Sequence, residues 1–284
     1  MVQVKTLRKF AYSPLRYPGG KSSLFGFFCN IFDKNNWTDF TYIEPYAGGA
    51  GSALALLLTG KVGSIIINDY DVAIYSFWKA IIDHPADFIS KIRNTPITIE
   101  EWRKQKEIYN NKDKRKSFNL GFATFYLNRT NRSGVLNAGP IGGLSQSGAW
   151  TLAVRYDKEK MINKIKLISD FKNKIKVTNK DGLSILKKYC DKANVFFYID
   201  PPYYKKGALL YLNSFTHDKH LELSEFLNGN DKAKWILSYD DVPEIRSMYI
   251  PYGRRFESYN LRYSVHRNTR LGSELVIYSD DILI

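Results

Sequence analysis

The residues with the clearest chemical potential are consecutive and lie in the second half of the chain: Asp200, Pro201, Pro202, Tyr203 and Tyr204. The Asp200 carboxylate accepts hydrogen bonds, and the Pro201 carbonyl is a second acceptor because Pro202 has no N–H beside it. Tyr203 adds a flat aromatic face. Two convergent acceptors beside an aromatic ring suit an exocyclic amine on a flat heterocycle, such as an adenine turned out of a duplex. The simpler alternative is a proline-broken strand end with ordinary loop tyrosines.

The residues before this set, 195–199, read Val-Phe-Phe-Tyr-Ile. A short run of β-branched and aromatic residues predicts a buried strand. Pro201 and Pro202 end that strand because neither can donate a ladder hydrogen bond. Asp200 is therefore expected at the carboxyl end of a central strand, which is the edge where ligands bind in open α/β sheets.

A glycine-rich turn follows an earlier predicted strand and comprises Glu44, Pro45, Tyr46, Gly48, Gly49 and Gly51. Glycines let the backbone approach a ligand closely at the first β-to-α turn. Asp69 ends the next predicted strand, where an acid can bind ribose hydroxyls. Together they favour an adenosine-containing cofactor, and the alternative is a tight turn followed by a solvated aspartate.

Basic side chains occur in three further segments, residues 17–21, 129–155 and 262–270. Tyr17 and Lys21 flank a Pro-Gly-Gly turn before a predicted helix, where a lysine can meet a carboxylate or phosphate. Residues 129–155 form a long glycine-rich segment without a core pattern, which indicates a functional or disordered loop. The arginines expected to meet DNA phosphates or base edges are Arg129, Arg132, Arg155, Arg262, Arg267 and Arg270.

Charge and cysteine content narrow the function classes. The 284 residues carry a net charge of +14, which favours nucleic acid or an anionic membrane as partner. The longest apolar run, residues 53–58, is too short to span a bilayer, and the first ten residues lack the apolar core of a signal peptide. Cys29 and Cys190 make neither a disulfide framework nor a zinc cluster, so a reducing compartment is expected.

In this order, the motifs resemble those of the DNA-adenine methylase family of the Dam-like, D12 class, whose members use S-adenosylmethionine. The turn at residues 17–21 resembles the family's N-terminal cofactor motif, with Tyr17 and Pro18 where many relatives have Trp and Ala. Residues 44–51 resemble the glycine-rich cofactor motif, and Asp69 matches the acid that holds the ribose. Residues 200–203 match the catalytic motif. The resemblance covers most of the chain except residues 85–155.

The resemblance implies roles for individual residues. The implied catalytic residues are Asp200, Pro201, Pro202 and Tyr203. Contacts with S-adenosylmethionine are implied for Tyr17, Lys21, Glu44, Pro45, Tyr46, Gly48, Gly49, Gly51, Asp69 and Asp200. The product would be S-adenosylhomocysteine, and no metal is expected.

The order of the motifs also implies how the chain is divided. Residues 1–74 and 171–284 would form the cofactor-binding catalytic domain, and residues 75–170 a largely helical insertion that recognises double-stranded DNA. The implied fold is α/β, with a Rossmann-like, mostly parallel methyltransferase sheet and a closing antiparallel hairpin. Residues 131–137 differ from the Asn-Gly-Leu-x-Arg-type hairpin of members that read GATC, so this recognition sequence is not predicted.

The resulting prediction is a site-specific adenine N6 DNA methyltransferase, cytoplasmic and bacterial or phage-encoded, with a cognate restriction endonuclease as a further partner to test and no membrane partner. One alternative keeps methyl transfer but changes the acceptor to a cytosine amine, RNA or a protein amide. Asp200 favours adenine over cytosine, because cytosine-amine relatives often have Ser there. A second alternative is a nucleic-acid-binding module without catalysis. A nicotinamide dehydrogenase ranks last, since it leaves the charge and the Asp200 loop unexplained.

Overall fold

A computed structural model describes residues 12–16, 24–111, 117–205, 215–265 and 268–284, and of residues 259–265 and 268–273 it describes the backbone alone. Its strands are β1 (Thr41–Glu44), β2 (Ser64–Asn68), β3 (Ile175–Thr178), β4 (Val195–Ile199), β5 (Lys234–Asp240), β6 (Arg255–Val265) and β7 (Asn268–Tyr278). They form a seven-stranded sheet in the order β3-β2-β1-β4-β5-β7-β6.

Strands β1 to β5 are parallel, whereas β7 pairs antiparallel with both β5 and β6. This confirms the predicted Rossmann-like, mostly parallel sheet with a closing antiparallel hairpin. The hairpin is longer than its apolar residues predict, which covered only 256–262 and 274–278. Ladder hydrogen bonds join backbone groups, so the polar and basic residues between those runs also pair.

Alternate residues of the central strands face two separate hydrophobic clusters. Tyr42 and Phe196 lie in the first cluster, and their neighbours Ile43 and Phe197 lie in the second. Both faces of the sheet are therefore covered. This is why the central strands read as continuous apolar runs instead of an alternating pattern.

The α-helices of the described residues are α1 (Phe25–Lys34), α2 (Gly51–Leu58), α3 (Val72–Asp83), α4 (Pro85–Asn94), α5 (Ile99–Asn110), α6 (Phe118–Thr130), α7 (Lys158–Ser169), α8 (Gly182–Tyr189), α9 (His217–Asn228) and α10 (Pro243–Tyr249). Buried apolar residues of α1, α2, α4 and α7 belong to the first cluster, and those of α8 to α10 belong to the second. Helices α3 and α6 contribute to the first cluster and, with Tyr109 of α5, to a third, smaller one. Within the described ranges, no helix has the length and apolar content needed to cross a membrane.

The helices α3 to α7 occupy the long connection between β2 and β3. Helix α6 packs closely on α3, because a Cβ at Gly121 would lie only 2.4 Å from the Ser76 carbonyl oxygen. The predicted boundary at residue 75 lies inside α3, and Phe77 and Trp78 of that helix belong to the main core. The division into a catalytic domain and an insertion stays a prediction.

Candidate active site

The sheet reverses its strand order between β1 and β4, because β2 and β3 extend from one side and β5 from the other. In open α/β sheets, ligands bind outside the carboxyl ends of the strands at such a switch point. Glu44 ends β1 and Asp200 directly follows β4, so the fold brings these two predicted residues to this edge. The two carboxyl groups also interact electrostatically, since the Asp200 charge contributes to the raised pKa of Glu44.

Glu44 is buried, and its Oε1 accepts the N–H of Ala53 at 3.0 Å, in the first turn of α2. Burial is the main cause that raises the pKa of Glu44 to about 8; the Ala53 N–H acts in the opposite direction, and the Asp200 charge adds to the increase. At neutral pH the protonated form of Glu44 therefore predominates. A cation placed beside it would favour the ionised form.

The glycine-rich turn is held by side chains from β2 and α3. Gly48 and Ala50 both have left-handed backbones, with φ of 47° and 46°. The Gly48 N–H donates to Asp69 Oδ2 at 2.8 Å, and the Gly48 carbonyl accepts from Trp78 Nε1 at 2.9 Å. These contacts fix the turn that the sequence assigns to the cofactor.

Asp69 holds the turn and the start of α3 together. Its Oδ1 accepts the Asp71 N–H at 2.9 Å, in addition to the Gly48 contact through Oδ2. Burial, followed by the Asp71 charge, raises the pKa of Asp69 to about 7, against the two N–H donors. Each carboxylate oxygen has a second lone pair, so Asp69 can still accept hydrogen bonds from ligand hydroxyls.

Asn68 is a site residue for which the sequence gives no role. Its fully buried amide donates to the carbonyls of Pro45 at 2.8 Å and Lys180 at 2.9 Å, and its Oδ1 accepts from Thr178 Oγ1 and the Lys180 N–H. One side chain thus ties together the ends of β1, β2 and β3. Its position at a strand end, next to an acid, is the only signal that the sequence carries.

The remaining residues of the predicted cofactor motif line the same turn. Pro45 and Gly49 are buried, and Gly51 begins α2. The Tyr46 ring lies edge-on to Phe215, with centroids 5.5 Å apart. It also covers Gly182, where a Cβ would lie 2.3 Å from the ring. The ring therefore lies between α8 and the segment that leads into α9.

The loop after β4 is fixed at both tyrosines. The Tyr203 hydroxyl donates to Glu274 of β7, and both residues are buried. Burial, with the charges of Asp200 and Glu274, raises the pKa of Tyr203 well above its ordinary value. Asp240, at the end of β5, accepts the N–H groups of Tyr204 and Lys205, each at 2.9 Å. The predicted catalytic residues are thus held from two neighbouring strands.

Asp200 itself is oriented from β5. Ser238 Oγ donates to Asp200 Oδ1 at 2.7 Å, and the Tyr198 hydroxyl lies 2.9 Å from Ser238 Oγ. Tyr198 and Ser238 are buried, whereas Asp200 is partly exposed at the sheet edge.

The predicted DNA-binding arginines of residues 129–155 have different surroundings. Arg129 donates to the carbonyls of Arg155 at 2.8 Å and Pro14 at 3.4 Å, and burial, with the Arg16 charge, lowers its pKa to about 10. Arg132 and Arg155 are exposed. Lys164 donates to the Ser13 carbonyl at 2.9 Å. Arg129 therefore holds the N-terminal segment, and Arg132 and Arg155 face solvent.

The side chains of the other predicted residues lie outside what the structure describes. Tyr17, Lys21 and Arg267 lie outside the described residues. Arg262 lies in β6 and Arg270 in β7, where only the backbone is described.

Three apolar side chains are exposed in the segment between α6 and α7, Leu144 by 57%, Trp150 by 62% and Val154 by 39%. The segment is held by Gln146, whose amide donates to the Ile141 carbonyl and whose Oε1 accepts the Leu152 N–H, at 2.8 and 2.9 Å. The glycine-rich sequence predicted a loop here, but not a loop ordered by one glutamine. Trp150 lies in the same segment as the exposed Arg155.

The sheet and its strand-end acids define the chain as a Rossmann-like methyltransferase. Residues 17–261 match the family described as D12 class N6 adenine-specific DNA methyltransferase. The match covers most of the chain, and the protein belongs to this family.

Likenesses to individual known proteins are distant. No curated protein matches the chain. Among solved structures, the Pyrococcus horikoshii protein PH1948, a suspected RNA methyltransferase, is 9% identical with a TM-score of 0.42, over 98% of this chain and 92% of that one. The rRNA methyltransferase AviRa from Streptomyces viridochromogenes is 12% identical with a TM-score of 0.39, over 93% and 87%. A precorrin-6y C5,15-methyltransferase from Geobacter metallireducens is 8% identical with a TM-score of 0.40, over 97% and 93%.

Membership of this family implies that the protein uses S-adenosylmethionine. The strand-end residues fit such a molecule. The carboxyl groups of Glu44 and Asp69 have pKa values near or above neutrality, so a positively charged ligand would favour their ionised forms. The left-handed turn at Gly48 lies directly beside Asp69, whose Oδ2 accepts the Gly48 N–H.

Proposed function

We propose that this protein transfers a methyl group from S-adenosylmethionine to the N6 amine of an adenine flipped out of duplex DNA. The observation that carries the proposal is the position of the Asp200–Tyr203 loop at the switch point, held by Asp240 and Glu274. A loop fixed from two strands can keep its acceptors in place before the substrate arrives, which is how enzymes gain from orientation.

The chain's own residues have distinct roles in this proposal. The Asp200 carboxylate and the Pro201 carbonyl accept hydrogen bonds from the adenine amine, which directs the nitrogen lone pair out of the ring plane. Tyr203 lies against the base, and its bond to Glu274 prevents the ring from turning away. Both effects orient the amine for an in-line displacement, and neither needs a covalent bond to the enzyme.

The proposed cofactor site is the glycine-rich turn with Glu44, Tyr46 and Asp69, together with Tyr17 and Lys21 of the N-terminal motif. Asp69 accepts hydrogen bonds from the ribose hydroxyls, while Asn68 keeps the strand ends in register. When bound, S-adenosylmethionine supplies a methyl group on a positively charged sulfur.

DNA binding is assigned to the basic insertion, residues 75–170, and to the β6–β7 hairpin. Exposed arginines such as Arg132 and Arg155 neutralise phosphates, and the exposed Trp150 of the same segment can stack on a base. Extrusion of the target adenine costs a few kcal/mol, which these contacts must supply.

The test is a methyl-transfer assay with mixed-sequence duplex DNA and labelled S-adenosylmethionine, followed by mass identification of the nucleosides. We expect N6-methyladenine from the wild-type protein and none from Asp200→Ala. Asp191→Ala, which removes an exposed carboxylate outside the site, should match the wild type. Activity of Asp200→Ala close to that of the wild type would overturn the assignment. Methylated cytosine would show that the acceptor base is cytosine and not adenine. Label found only in RNA or protein added as competitor would show that this molecule, and not DNA, is the substrate.

A further inference from the structure

The carboxylate of Asp200 is the end of a hydrogen-bonded row of side chains that crosses from β4 to β5. Ser238 Oγ donates to Asp200 Oδ1 at 2.7 Å, and the Tyr198 hydroxyl lies 2.9 Å from the same Ser238 oxygen. The strand register explains the row. Tyr198 pairs with Ile236 and Ile199 with Leu237, so Asp200 and Ser238 are the next partners along the two strands and point to the same face.

The direction of the row follows from hydrogen-bond chemistry. An ionised aspartate can only accept, so the single hydroxyl hydrogen of Ser238 is directed to Asp200. Ser238 must then act as the acceptor toward Tyr198, whose phenol is the remaining donor. Burial and the charges of Asp200 and Glu274 raise the pKa of Tyr198 well above its ordinary value, so the phenol keeps its proton. The order of donation is therefore Tyr198 to Ser238 to Asp200.

The row is also rigid. Ser238 is fully buried and Tyr198 is 2% exposed. The Tyr198 ring is fixed by Phe28 of α1, which meets it edge-on with centroids 4.9 Å apart. Solvent therefore cannot replace either hydroxyl, and the Asp200 carboxylate cannot rotate without breaking its hydrogen bond to the buried Ser238.

From these contacts we infer that Ser238 and Tyr198 are positioning residues for methyl transfer, which set the plane of the Asp200 carboxylate toward the acceptor amine. The inference rests on the proposed function, because it requires Asp200 to meet the substrate. It adds two residues that do not touch the substrate and that act only through Asp200.

The experiment compares Ser238→Ala, Tyr198→Phe and the double variant with the wild-type enzyme on duplex DNA. Ser238→Ala should lower kcat about tenfold to a hundredfold, as expected when a reacting group is misplaced. The dissociation constants of S-adenosylmethionine and DNA should change less than about twofold, since neither residue contacts a ligand. Tyr198→Phe should lower kcat less, because Ser238 still donates to Asp200.

Non-additivity distinguishes a row from two independent residues. In the double variant, kcat should fall no further than in Ser238→Ala alone, because the tyrosine acts through the serine. The matched control is Ser224→Ala, which removes a buried hydroxyl that donates to a backbone carbonyl away from the site. Ser238→Cys, which keeps the volume and a weak donor, should recover part of kcat and serves as the second variant if Ser238→Ala does not fold.

The outcomes distinguish the positioning role of Ser238 and Tyr198 from the proposed function of the protein. If Ser238→Ala keeps kcat within about twofold while Asp200→Ala is inactive, the positioning role is wrong and the proposed function stands. Equal losses in Ser238→Ala and Ser224→Ala, or fully additive losses in the double variant, also overturn the positioning role. Activity in Asp200→Ala overturns the proposed function itself.

Discussion

Acidic and basic side chains each gather in one region of this protein, the acidic ones at the strand ends and the basic ones along the contact of the N-terminal segment with α6 and α7. At the strand ends, Glu44, Asp69 and Asp240 accept hydrogen bonds from backbone N–H groups. At the second contact, Arg129 and Lys164 donate to backbone carbonyls. One region uses acidic side chains and the other basic side chains, and in both regions these side chains fix loops.

The difference between the regions lies in which members remain available to a ligand. Asp69 can accept further hydrogen bonds although it already holds two N–H groups, because a carboxylate has about four acceptor positions. Arg129 is half-buried and directed at carbonyls, whereas Arg132 and Arg155 are exposed to solvent. Burial and hydrogen-bond capacity, more than the sign of the charge, separate a structural role from a binding role.

The largest effect on stability is expected at the strand ends, for Asp240→Ala. The variant leaves the N–H groups of Tyr204 and Lys205 without their acceptor, so the free energy of unfolding should fall by about 3–4 kcal/mol. Chemical denaturation measures this directly. The neighbouring Asp241→Ala removes an ion pair with Arg246 and should cost less than about 1 kcal/mol. Equal losses of unfolding free energy in Asp240→Ala and Asp241→Ala would contradict the expected difference between the two aspartates.

A smaller effect at the same edge depends on pH. The pKa of Glu44 is raised from 4.5 to about 8, so between these values the unfolded chain loses a proton that the folded chain keeps. The free energy of unfolding therefore falls as the pH rises through this window. Glu44→Gln should remove that contribution and leave a flatter profile.

Denaturation of both proteins at several pH values from 4.5 to 8.5 tests this expectation. Glutamine keeps an oxygen for the Ala53 N–H, so the comparison isolates the titration. Parallel profiles for the two proteins would show that Glu44 titrates normally.

The smallest effect compares two arginines of the basic region. Arg129→Ala should lower the free energy of unfolding by about 1–2 kcal/mol, because two backbone carbonyls lose their donor. Arg155→Ala should leave stability unchanged and reduce the slope of log DNA affinity against log salt by about 1. Thermal unfolding and DNA titrations at several salt concentrations separate the two. The opposite pattern would place Arg129 at the DNA and Arg155 in the scaffold.

Much of the fold follows from local patterns in the sequence. The apolar runs predicted β1, β2 and β4, and in the structure Thr216 caps α9 by accepting the Lys219 N–H. The proline pair also placed Asp200 at a strand end. These features depend on residues close in the chain, where propensity and capping decide the structure.

The contacts that orient the site were not predictable in the same way. Ser238 meets Asp200 only because β4 and β5 pair in one register, and a shift by one residue would turn the serine to the opposite face. Asn68, at the end of β2, joins the end of β1, 23 residues earlier, to the end of β3, 110 residues later in the chain. The DNA contact of Arg129 stays a prediction, and its hydrogen bond to the Pro14 carbonyl, which holds the N-terminal segment, has no signal in the sequence.

The central strand pair has a consequence for how the protein is made. Strand β1 pairs with β4, which emerges from the ribosome about 150 residues later. At synthesis rates of about 5–20 residues per second, the first strand waits on the order of ten seconds for its central partner. Nascent chains therefore expose an unpaired apolar strand edge during elongation, and a chaperone that covers residues 41–68 should raise the yield of native protein.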